Sequence, residues 1–444
     1  MSDQPKRQLT LFDSTSIIVG IIIGAGIYQM TPGIAGAMGG PAGMMAIWLA
    51  GGAMALVGAL CYAELATAYP REGGDYIYQT RALGAPVGFL FGWSQMAIVR
   101  PGDIALMAFA FAMYAQHIFS PGISMPVYAA AAVVALTLIN LAGIRFGKWT
   151  QNILTMVKIA GLLGIVAAGI MAPDHGAASA PVASMEGMSR FDGMKLALIL
   201  TLFVYGGWNE MGYIAAEVKN PNRNIARALT LGVVSVTALY LLVNGAFLLA
   251  LGYSGVASSN AVAVDAMAAS FPRIAGKAIA ILICISALGA ANGLIFTGAR
   301  ISYALGTDHG AFRRLGRWNE RMGGPMGALI IQGAISLAII AIFQNYIDTI
   351  IYTAPVIWLF FLLTSVSFFV LRIRERGTPR PFRTPLFPLI PALFIAMCVF
   401  MLYSSVTYAW NVKRDSLLLM LSALALGVPA LIASRRMEKS AGRQ

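Results

Sequence analysis

The chain has 444 residues, of which 58% are hydrophobic and only 11% are charged, and its formal net charge is +13. A soluble domain averages about 25% charged residues because its solvated surface needs them, so this composition excludes an ordinary soluble protein. A disordered chain and a nucleic-acid-binding protein are excluded by the same shortage of charge. The mean hydropathy of +0.75 instead predicts a polytopic protein of the lipid bilayer.

Twelve apolar segments are close to the length of about 20 residues that a helix needs to cross roughly 30 Å of hydrocarbon. The apolar stretch behind the polar N-terminus has features of a signal peptide, but eleven further segments follow, so we interpret it as a retained first span. The predicted fold class is therefore an all-α membrane protein with 12 transmembrane helices. The spans lie near residues 13–37, 43–67, 86–116, 126–144, 150–171, 193–216, 226–252, 275–305, 326–343, 347–371, 387–410 and 416–434.

The lysines and arginines predict how these spans are oriented. If the loops alternate between two sides, most of the 31 basic residues fall on the side of the N-terminal tail. The positive-inside rule then places both termini in the cytoplasm, and we predict the plasma (cell inner) membrane as the location. The few basic residues on the opposite side are Arg190, Lys195, Arg273, Lys277, Lys413 and Arg414.

Two spans carry glycines near their centres. The first contains Gly24-Ala25-Gly26 and the sixth contains Gly206-Gly207. Glycine costs about 1 kcal/mol relative to alanine inside a helix, so both sites favour local unwinding. The alternative is that small residues only allow helices to pack closely. Unwound backbone would expose N–H groups that attract a carboxylate and carbonyls that attract an ammonium group, the two ends of an amino acid.

The positions of the two breaks predict the organisation of the chain. Each break opens a block of five spans, and because five is odd, the second block is inverted relative to the first. Interrupted helices at corresponding positions of inverted halves are typical of a transporter's midplane site. The predicted units are a cytoplasmic tail at 1–12, a first five-helix repeat at 13–171, an extracellular loop at 172–192, a second inverted repeat at 193–371, a cytoplasmic loop at 372–386, helices 11 and 12 at 387–434, and a cytoplasmic tail at 435–444.

Several motifs accompany the two breaks, at residues 58–65, 73–76, 100–101, 158, 203–209 and 217–221. Together with Gly24-Ala25-Gly26 they resemble the amino acid–polyamine–organocation transporter superfamily, and within it the bacterial members of the L-type amino acid transporter family. The last two spans and the C-terminal tail match only in general character. The resemblance implies a leucine-transporter-like fold of two inverted five-helix repeats plus two peripheral helices.

The resemblance also implies a substrate site at the breaks. The substrate carboxylate would meet the backbone N–H groups of Ala25, Gly26 and Ile27. Its ammonium group would meet the carbonyls of Ile22, Phe203 and Gly206, with Phe203 closing over it as a gate. Asn209 would hydrogen-bond the substrate or the unwound backbone. Many relatives carry serine where Ala25 stands, so one hydroxyl contact to the carboxylate is missing here. Further candidates for lining the cavity are Tyr28, Trp208 and Glu210.

Lys158 lies deep within the fifth span, where an ionisable group costs about 2.5–3.5 kcal/mol on insertion scales. One interpretation is a lysine that snorkels to the interface. In the second, its ammonium group takes the place of the cation in sodium-coupled members of this fold and ties helix five to the unwound first helix. In the third, it is a proton-coupling site, because a buried lysine can titrate near neutral pH.

Arg100, Asp103 and Glu210 are further charged residues inside the spans. Arg100 and Asp103 are three residues apart in helix three, a spacing that predicts a structural ion pair, with a gating role as the alternative. Glu210 follows the second break, where a carboxylate would favour a substrate with a cationic or strongly polar side chain. The alternative is that Glu210 pairs with a neighbouring helix.

The leading hypothesis is a sodium-independent amino acid transporter that exchanges neutral amino acids by alternating access. The alternatives are a proton-coupled symporter of amino acids, including cationic ones or polyamines, and, from another class, a channel. No nucleotide-binding or hydrolase motif occurs, so we predict neither enzymatic activity nor a cofactor. The cysteines and histidines are scattered, which argues against a metal site. The animal branch has a cysteine after helix three that bonds a partner glycoprotein, and residues 116–126 contain none here, so we expect no disulfide-linked ancillary subunit.

Overall fold

The computed structural model describes residues 6–119, 122–172, 190–344 and 346–441. Most of the predicted extracellular loop at 172–192 and the ends of both tails lie outside these residues. Within the described ranges the chain is helical and forms no strand. The α-helices are α1 (Leu11–Ile22), α2 (Gly26–Gln29), α3 (Thr31–Met38), α4 (Pro41–Ala68), α5 (Asp75–Leu83), α6 (Ala85–Ser94), α7 (Arg100–Ile118), α8 (Met125–Leu141), α9 (Ile144–Met171), α10 (Arg190–Val204), α11 (Pro221–Ser258), α12 (Val262–Ala268), α13 (Ala275–Asp308), α14 (Met326–Phe343), α15 (Tyr346–Arg374), α16 (Leu389–Val412), α17 (Arg414–Ala425) and α18 (Gly427–Ala441).

The lengths of these helices agree with the predicted spans. Among the described residues, 11 helical segments are long and apolar enough to cross a membrane, and α8 is a shorter apolar helix. Together they account for the twelve predicted spans, so the predicted all-α polytopic class is confirmed. The division into two inverted five-helix repeats stays a prediction.

The first span is interrupted where its glycines predict. α1 ends at Ile22 and α2 begins at Gly26, and the intervening residues are not helical. At the other end of α1, Thr10 and Asp13 form a reciprocal capping box that fixes where the helix starts. The span thus consists of two helical pieces joined by three non-helical residues near its middle.

The sixth span is interrupted in the same way. α10 ends at Val204, and a 3₁₀ helix over Trp208–Glu217 follows. Gly207 between them has φ of 109°, a left-handed conformation that favours glycine. A Cβ at Gly207 would lie 2.7 Å from Cγ2 of Ile21, so the missing side chain also lets the two breaks approach each other.

The third span has a different irregularity. A π-helical turn over Gln95–Val99 separates α6 from α7, and Pro101 lies in the first turn of α7. Proline has no N–H to donate, so the normal i to i−4 ladder cannot continue through it, and a wider turn accommodates the mismatch. The turn places Gln95 and Arg100 beside the second break.

At the end of the bundle where the chain begins, a buried ion pair ties the sixth span to α13, and backbone hydrogen bonds tie it to the N-terminal segment. Arg300 of α13 contacts Glu217, with 2.7 Å between Nε and Oε1. The carbonyl of Glu217 accepts hydrogen bonds from the N–H groups of Gln8 and Leu9, and Leu9 pairs with Val218 in a parallel bridge. The N-terminal segment is therefore held against the end of the 3₁₀ helix.

Glu72 lies between α4 and α5, close to this ion pair. Its buried Oε1 has no hydrogen-bond partner in the part of the chain that the structure describes. Burial raises the pKa of Glu72 to about 7, and the neighbouring Glu217 carboxylate raises it further while Arg300 opposes the shift. The folded protein therefore holds the Glu72 proton more tightly than the unfolded chain does between about pH 4.5 and 7.

We expect Glu72→Gln to stabilise the protein at alkaline pH only. The contribution of the protonated Glu72 carboxyl to the stability of the wild type is lost as pH rises through the pKa of Glu72, because ionisation leaves a poorly solvated charge. At pH 5 the carboxyl is protonated, and glutamine resembles it. The thermal midpoint in detergent should be about 2 °C or more higher for the variant at pH 8 and equal at pH 5. Glu320→Gln, at an exposed carboxylate, is the control. An equal difference at both pH values would contradict this assignment.

Candidate functional site at the two helix breaks

The two breaks line one cavity of about 160 Å³ in the middle of the bundle. Helices α6, α7, α13 and α15 and the π-helical turn also contribute to its walls. The breaks contribute Ile22, Gly24, Ala25, Gly26, Phe203, Gly206, Gly207, Trp208, Asn209 and Glu210. The polar and aromatic residues from α7 and α15 are Arg100, Asp103, Thr353, Trp358, Phe360 and Phe361.

The first break presents unpaired backbone donors. The N–H groups of Ala25, Gly26 and Ile27 have no backbone acceptor within the described ranges. Ala25 and Gly26 line the cavity, whereas the side chain of Ile27 is fully buried. Because an unpaired N–H away from water is costly, these groups form a site that an anionic group such as a carboxylate would satisfy.

Lys158 of α9 contacts the carbonyls that the first break frees. Its Nζ lies 2.5 Å from the oxygen of Gly20 and 2.7 Å from the oxygen of Ile23, and the side chain is fully buried. A Cβ at Gly289 of α13 would lie 2.8 Å from Cε of Lys158, so this glycine leaves room for the lysine. The buried position is not that of a lysine that snorkels to the interface, and Lys158 does not line the cavity.

Two hydroxyl groups that the sequence analysis missed also hold the first break. Ser286 Oγ donates to the carbonyls of Ile23 and Gly24, at 3.1 and 3.0 Å. The Tyr240 hydroxyl donates to the carbonyl of Ile22 at 3.1 Å. The only sequence signal for Ser286 was the presence of a serine in an apolar span, and this signal did not indicate which group its hydroxyl contacts.

The carbonyls predicted to bind a substrate ammonium group are not equally available. The oxygen of Ile22 accepts from the N–H of Gly24 as well as from Tyr240, so both of its lone pairs are used, which corrects the role expected for it. The oxygen of Phe203 accepts one bond, from the N–H of Gly206. Gly206 itself is exposed to the cavity. The second break therefore offers the better acceptors.

Tyr28 does not line the cavity, in contrast to the expectation from sequence. It is buried near Ser286 and Tyr114 instead. Two residues correspond to about 200° around a helix, so Tyr28 faces away from the side on which Gly26 meets the cavity. Phe203 is half-buried and lines the cavity, as the gate assignment requires.

Arg100 pairs with Glu210 rather than with Asp103. Its Nη1 lies 2.7 Å from Oε1 of Glu210, both side chains are buried, and the guanidinium stacks 4.9 Å from the ring of Tyr213. The predicted Arg100–Asp103 ion pair is therefore wrong. Arg100 begins α7, where its long side chain reaches across to the 3₁₀ helix of the sixth span instead of along its own helix.

This pair is held by further polar groups. Gln95 accepts from Nε of Arg100 at 2.9 Å, and Thr297 of α13 donates to Oε2 of Glu210 at 2.5 Å. Glu210 is therefore paired with a neighbouring helix, which is the alternative that we gave for this carboxylate from the sequence. Glu210 still borders the cavity, but its charge is compensated.

We expect replacement of one partner of the Arg100–Glu210 pair to cost more stability than replacement of both. Glu210→Met should lower the free energy of unfolding by about 3 kcal/mol, because it leaves a buried guanidinium without its counter-charge. Arg100→Met/Glu210→Met should recover part of that loss, since both desolvation costs disappear. Unfolding in detergent measures the cycle, and additive losses would contradict a coupled pair.

Asn209 connects the second break to a buried carboxylate. Its Nδ2 lies 3.0 Å from the hydroxyl oxygen of Tyr213, and that hydroxyl donates to Asp75 of α5 at 2.7 Å. Tyr62 and Thr364 donate to the same carboxylate. Burial raises the pKa of Asp75, and the three hydroxyl groups oppose that rise. The chain of contacts links the site to α4, α5 and α15.

A bundle of membrane-length helices with two interrupted helices meeting at a central cavity is the architecture of a secondary transporter. The comparisons agree with that class. The sequence matches the family described as amino acid permease over residues 9–425. The chain therefore belongs to the amino acid permease family, and the resemblance to the amino acid–polyamine–organocation superfamily is confirmed.

Individual relatives are similar along nearly the whole chain. This chain is 31% identical over 409 residues to the b(0,+)-type amino acid transporter 1 of Mus musculus, and the aligned region covers 90% of this chain and 83% of that protein. It is 30% identical over 405 residues to the serine/threonine exchanger SteT of Bacillus subtilis, spanning 90% and 91%. The large neutral amino acids transporter small subunit 2 of Oryctolagus cuniculus is 29% identical over 414 residues, spanning 90% and 76%.

Proposed function

We propose that the protein is a sodium-independent exchanger of amino acids, with neutral amino acids among its substrates. The observation that carries this proposal is the set of unpaired N–H groups at the first break, of which Ala25 and Gly26 line the same cavity as the acceptor backbone of Phe203 and Gly206. The two sets match the carboxylate and the ammonium group of an amino acid. Relatives described as amino acid transporters and exchangers support the same activity.

The independence from sodium rests on Lys158. Freed carbonyls at an interrupted helix attract a cation, and here the oxygens of Gly20 and Ile23 already contact the lysine ammonium group. A permanent cation that belongs to the chain would hold the break in shape without a transported ion. Transport would then proceed by alternating access, with Phe203 closing over the bound substrate.

Labelled neutral amino acid supplied to proteoliposomes without sodium or a pH gradient tests the proposal. Vesicles preloaded with unlabelled amino acid are compared with empty ones. Exchange requires uptake into loaded vesicles only. Equal uptake into both would reject obligatory exchange, and stimulation by an imposed proton gradient would favour the proton-coupled alternative. Flux that neither saturates nor responds to internal substrate would indicate a channel.

We further propose that the carrier acts in the plasma membrane with both termini in the cytoplasm, without enzymatic activity and without a disulfide-linked ancillary subunit. The last point is supported by the three cysteines, Cys61, Cys284 and Cys398, which are buried within helices. A thiol in that position cannot reach a partner chain. Migration of the purified protein as a disulfide-linked heterodimer that reductant dissociates would contradict this point.

A further inference from the structure

Asp75 is a buried carboxylate that three other segments of the bundle contact. It begins α5, between the second and third spans, and its side chain is fully buried. The hydroxyl groups of Tyr62 on α4, Tyr213 on the 3₁₀ helix of the sixth span and Thr364 on α15 all donate to it. A buried carboxylate without donors is costly, and these three hydroxyl groups satisfy both of its oxygens. Asp75 therefore joins elements that are far apart in the sequence.

The start of α5 contacts Tyr213 at both its backbone and its side chain. The N–H group of Gly73 donates to the carbonyl of Tyr213 at 3.3 Å, and the Tyr213 hydroxyl donates to Asp75 at 2.7 Å. A Cβ at Gly74 would lie 2.8 Å from the carbonyl carbon of Gly212, and the φ of Gly74 is 45°. Glycine suits both this close approach and the positive φ. Residues 73–75 are therefore packed directly on the 3₁₀ helix.

These contacts lie between the cavity and the end of the bundle where the chain begins. The 3₁₀ helix starts with Trp208 and Asn209, which line the cavity, and ends at Glu217, whose carbonyl binds the N-terminal segment. Tyr213 lies midway along this helix and lines the cavity as well. Tyr213 and residues 73–75 therefore form part of the cavity wall on the side where the chain begins, which we call the N-terminal side.

Tyr213 also contacts two groups that border the cavity. Its hydroxyl accepts from Nδ2 of Asn209 at 3.0 Å, and the guanidinium of Arg100 lies 4.9 Å from the centre of its ring. A movement of Tyr213 away from Asp75 would break the contact with Asn209 or displace that residue. A hydrogen bond to a carboxylate is strong enough to bias two conformations of a protein, yet it can break within a transport cycle.

We propose that Asp75 is a positioning residue of the transport cycle: by holding Tyr213 it keeps the cavity closed towards the N-terminal side, and release of Tyr213 opens the cavity to that side. The inference rests on the proposed exchange by alternating access. Asp75 is not among the described residues that line the cavity, so it acts through Tyr213 rather than on the substrate. Loss of this contact shifts the population towards the state that is open on the N-terminal side.

Access of a thiol reagent to the cavity tests this role. Ala354→Cys places a thiol among the lining residues on α15, and a membrane-impermeant maleimide is applied to membrane vesicles of either orientation. A tag at the N-terminus identifies the N-terminal side. Asp75→Asn, made in this background, keeps the shape of the side chain and removes its charge. We expect labelling from the N-terminal side to become about fivefold faster or more, because a charge-assisted contact is weakened, with no increase from the opposite side.

Asp415→Asn in the same background is the matched control, because it removes an exposed carboxylate at the start of α17. Protein without Ala354→Cys measures the labelling of the three buried native cysteines. Tyr213→Phe removes the hydroxyl that reaches Asp75 and keeps the ring, so it should reproduce the effect. The double variant should label no faster than either single variant, since both changes break one contact. If Asp75→Asn fails to fold, Tyr213→Phe tests the same contact.

The outcomes separate this inference from the proposed function. Unchanged labelling in both variants would overturn the role of Asp75. An equal increase from both sides would also overturn it, because a purely structural contact loosens the bundle without favouring one side. The labelling requires no transport, so it decides the role of Asp75 by itself. The absence of exchange for every amino acid in wild-type proteoliposomes would reject the proposed function instead.

Discussion

Gly26→Leu is expected to abolish substrate binding. Gly26 lies at the first break, where a Cβ would be 2.9 Å from Cγ2 of Val204 at the end of α10. A leucine would push the two breaks apart and cover the N–H groups that we assign to the substrate carboxylate. We expect the affinity for labelled leucine, measured on the purified protein, to fall about 100-fold or more, since both backbone contacts and access are lost.

Gly164→Leu is the control for this change. Gly164 lies in the membrane-length helix α9, and a Cβ there meets nothing within 4 Å, so the same substitution adds bulk without a clash. Binding by this variant should equal that of the wild type. Undiminished binding by Gly26→Leu would remove the first break from the site.

Lys158→Ala is expected to reduce exchange about tenfold or more without making it dependent on sodium. The substitution leaves the carbonyls of Gly20 and Ile23 without their charged donor in a buried position, and such charge-assisted hydrogen bonds are each worth about 1.5–3 kcal/mol. The first break should then lose its shape. Uptake of labelled leucine into leucine-loaded vesicles, with and without sodium, measures both parts of the expectation.

Lys277→Ala, which removes an exposed lysine near the start of α13, should leave exchange unchanged. Sodium-dependent flux in the wild type would contradict the idea that Lys158 stands in for a cation. Wild-type flux that requires a proton gradient and a Lys158→Ala flux that does not would instead identify the lysine as a proton-coupling group.

The positions of the two breaks could be predicted from sequence because their cause is local. Glycine weakens a helix wherever it stands, and Gly24-Ala25-Gly26 and Gly206-Gly207 lie midway along spans that apolar length alone defines. The depth of Lys158 within its span followed from the same count of residues. These are statements about one segment at a time, and the structure agrees with them.

The partners of the buried polar groups could not be predicted in this way. Spacing paired Arg100 with Asp103, three residues away, whereas the guanidinium reaches Glu210 on another span. Ile22 was assigned to the substrate, but Tyr240 from α11 occupies its carbonyl. Each error comes from a contact between residues distant in sequence, for which periodicity carries no information.

The amino-acid sequence by itself therefore determined the class of protein, the number of spans and the places where two of them unwind, because hydrophobic length and glycine content act locally. Only the tertiary structure decided which groups at the breaks remain unpaired. In the structure, Arg100 pairs with Glu210, and Asp103 lines the cavity. The sequence contains several donors and acceptors that could pair, and the packing of the helices determines which of them come into contact.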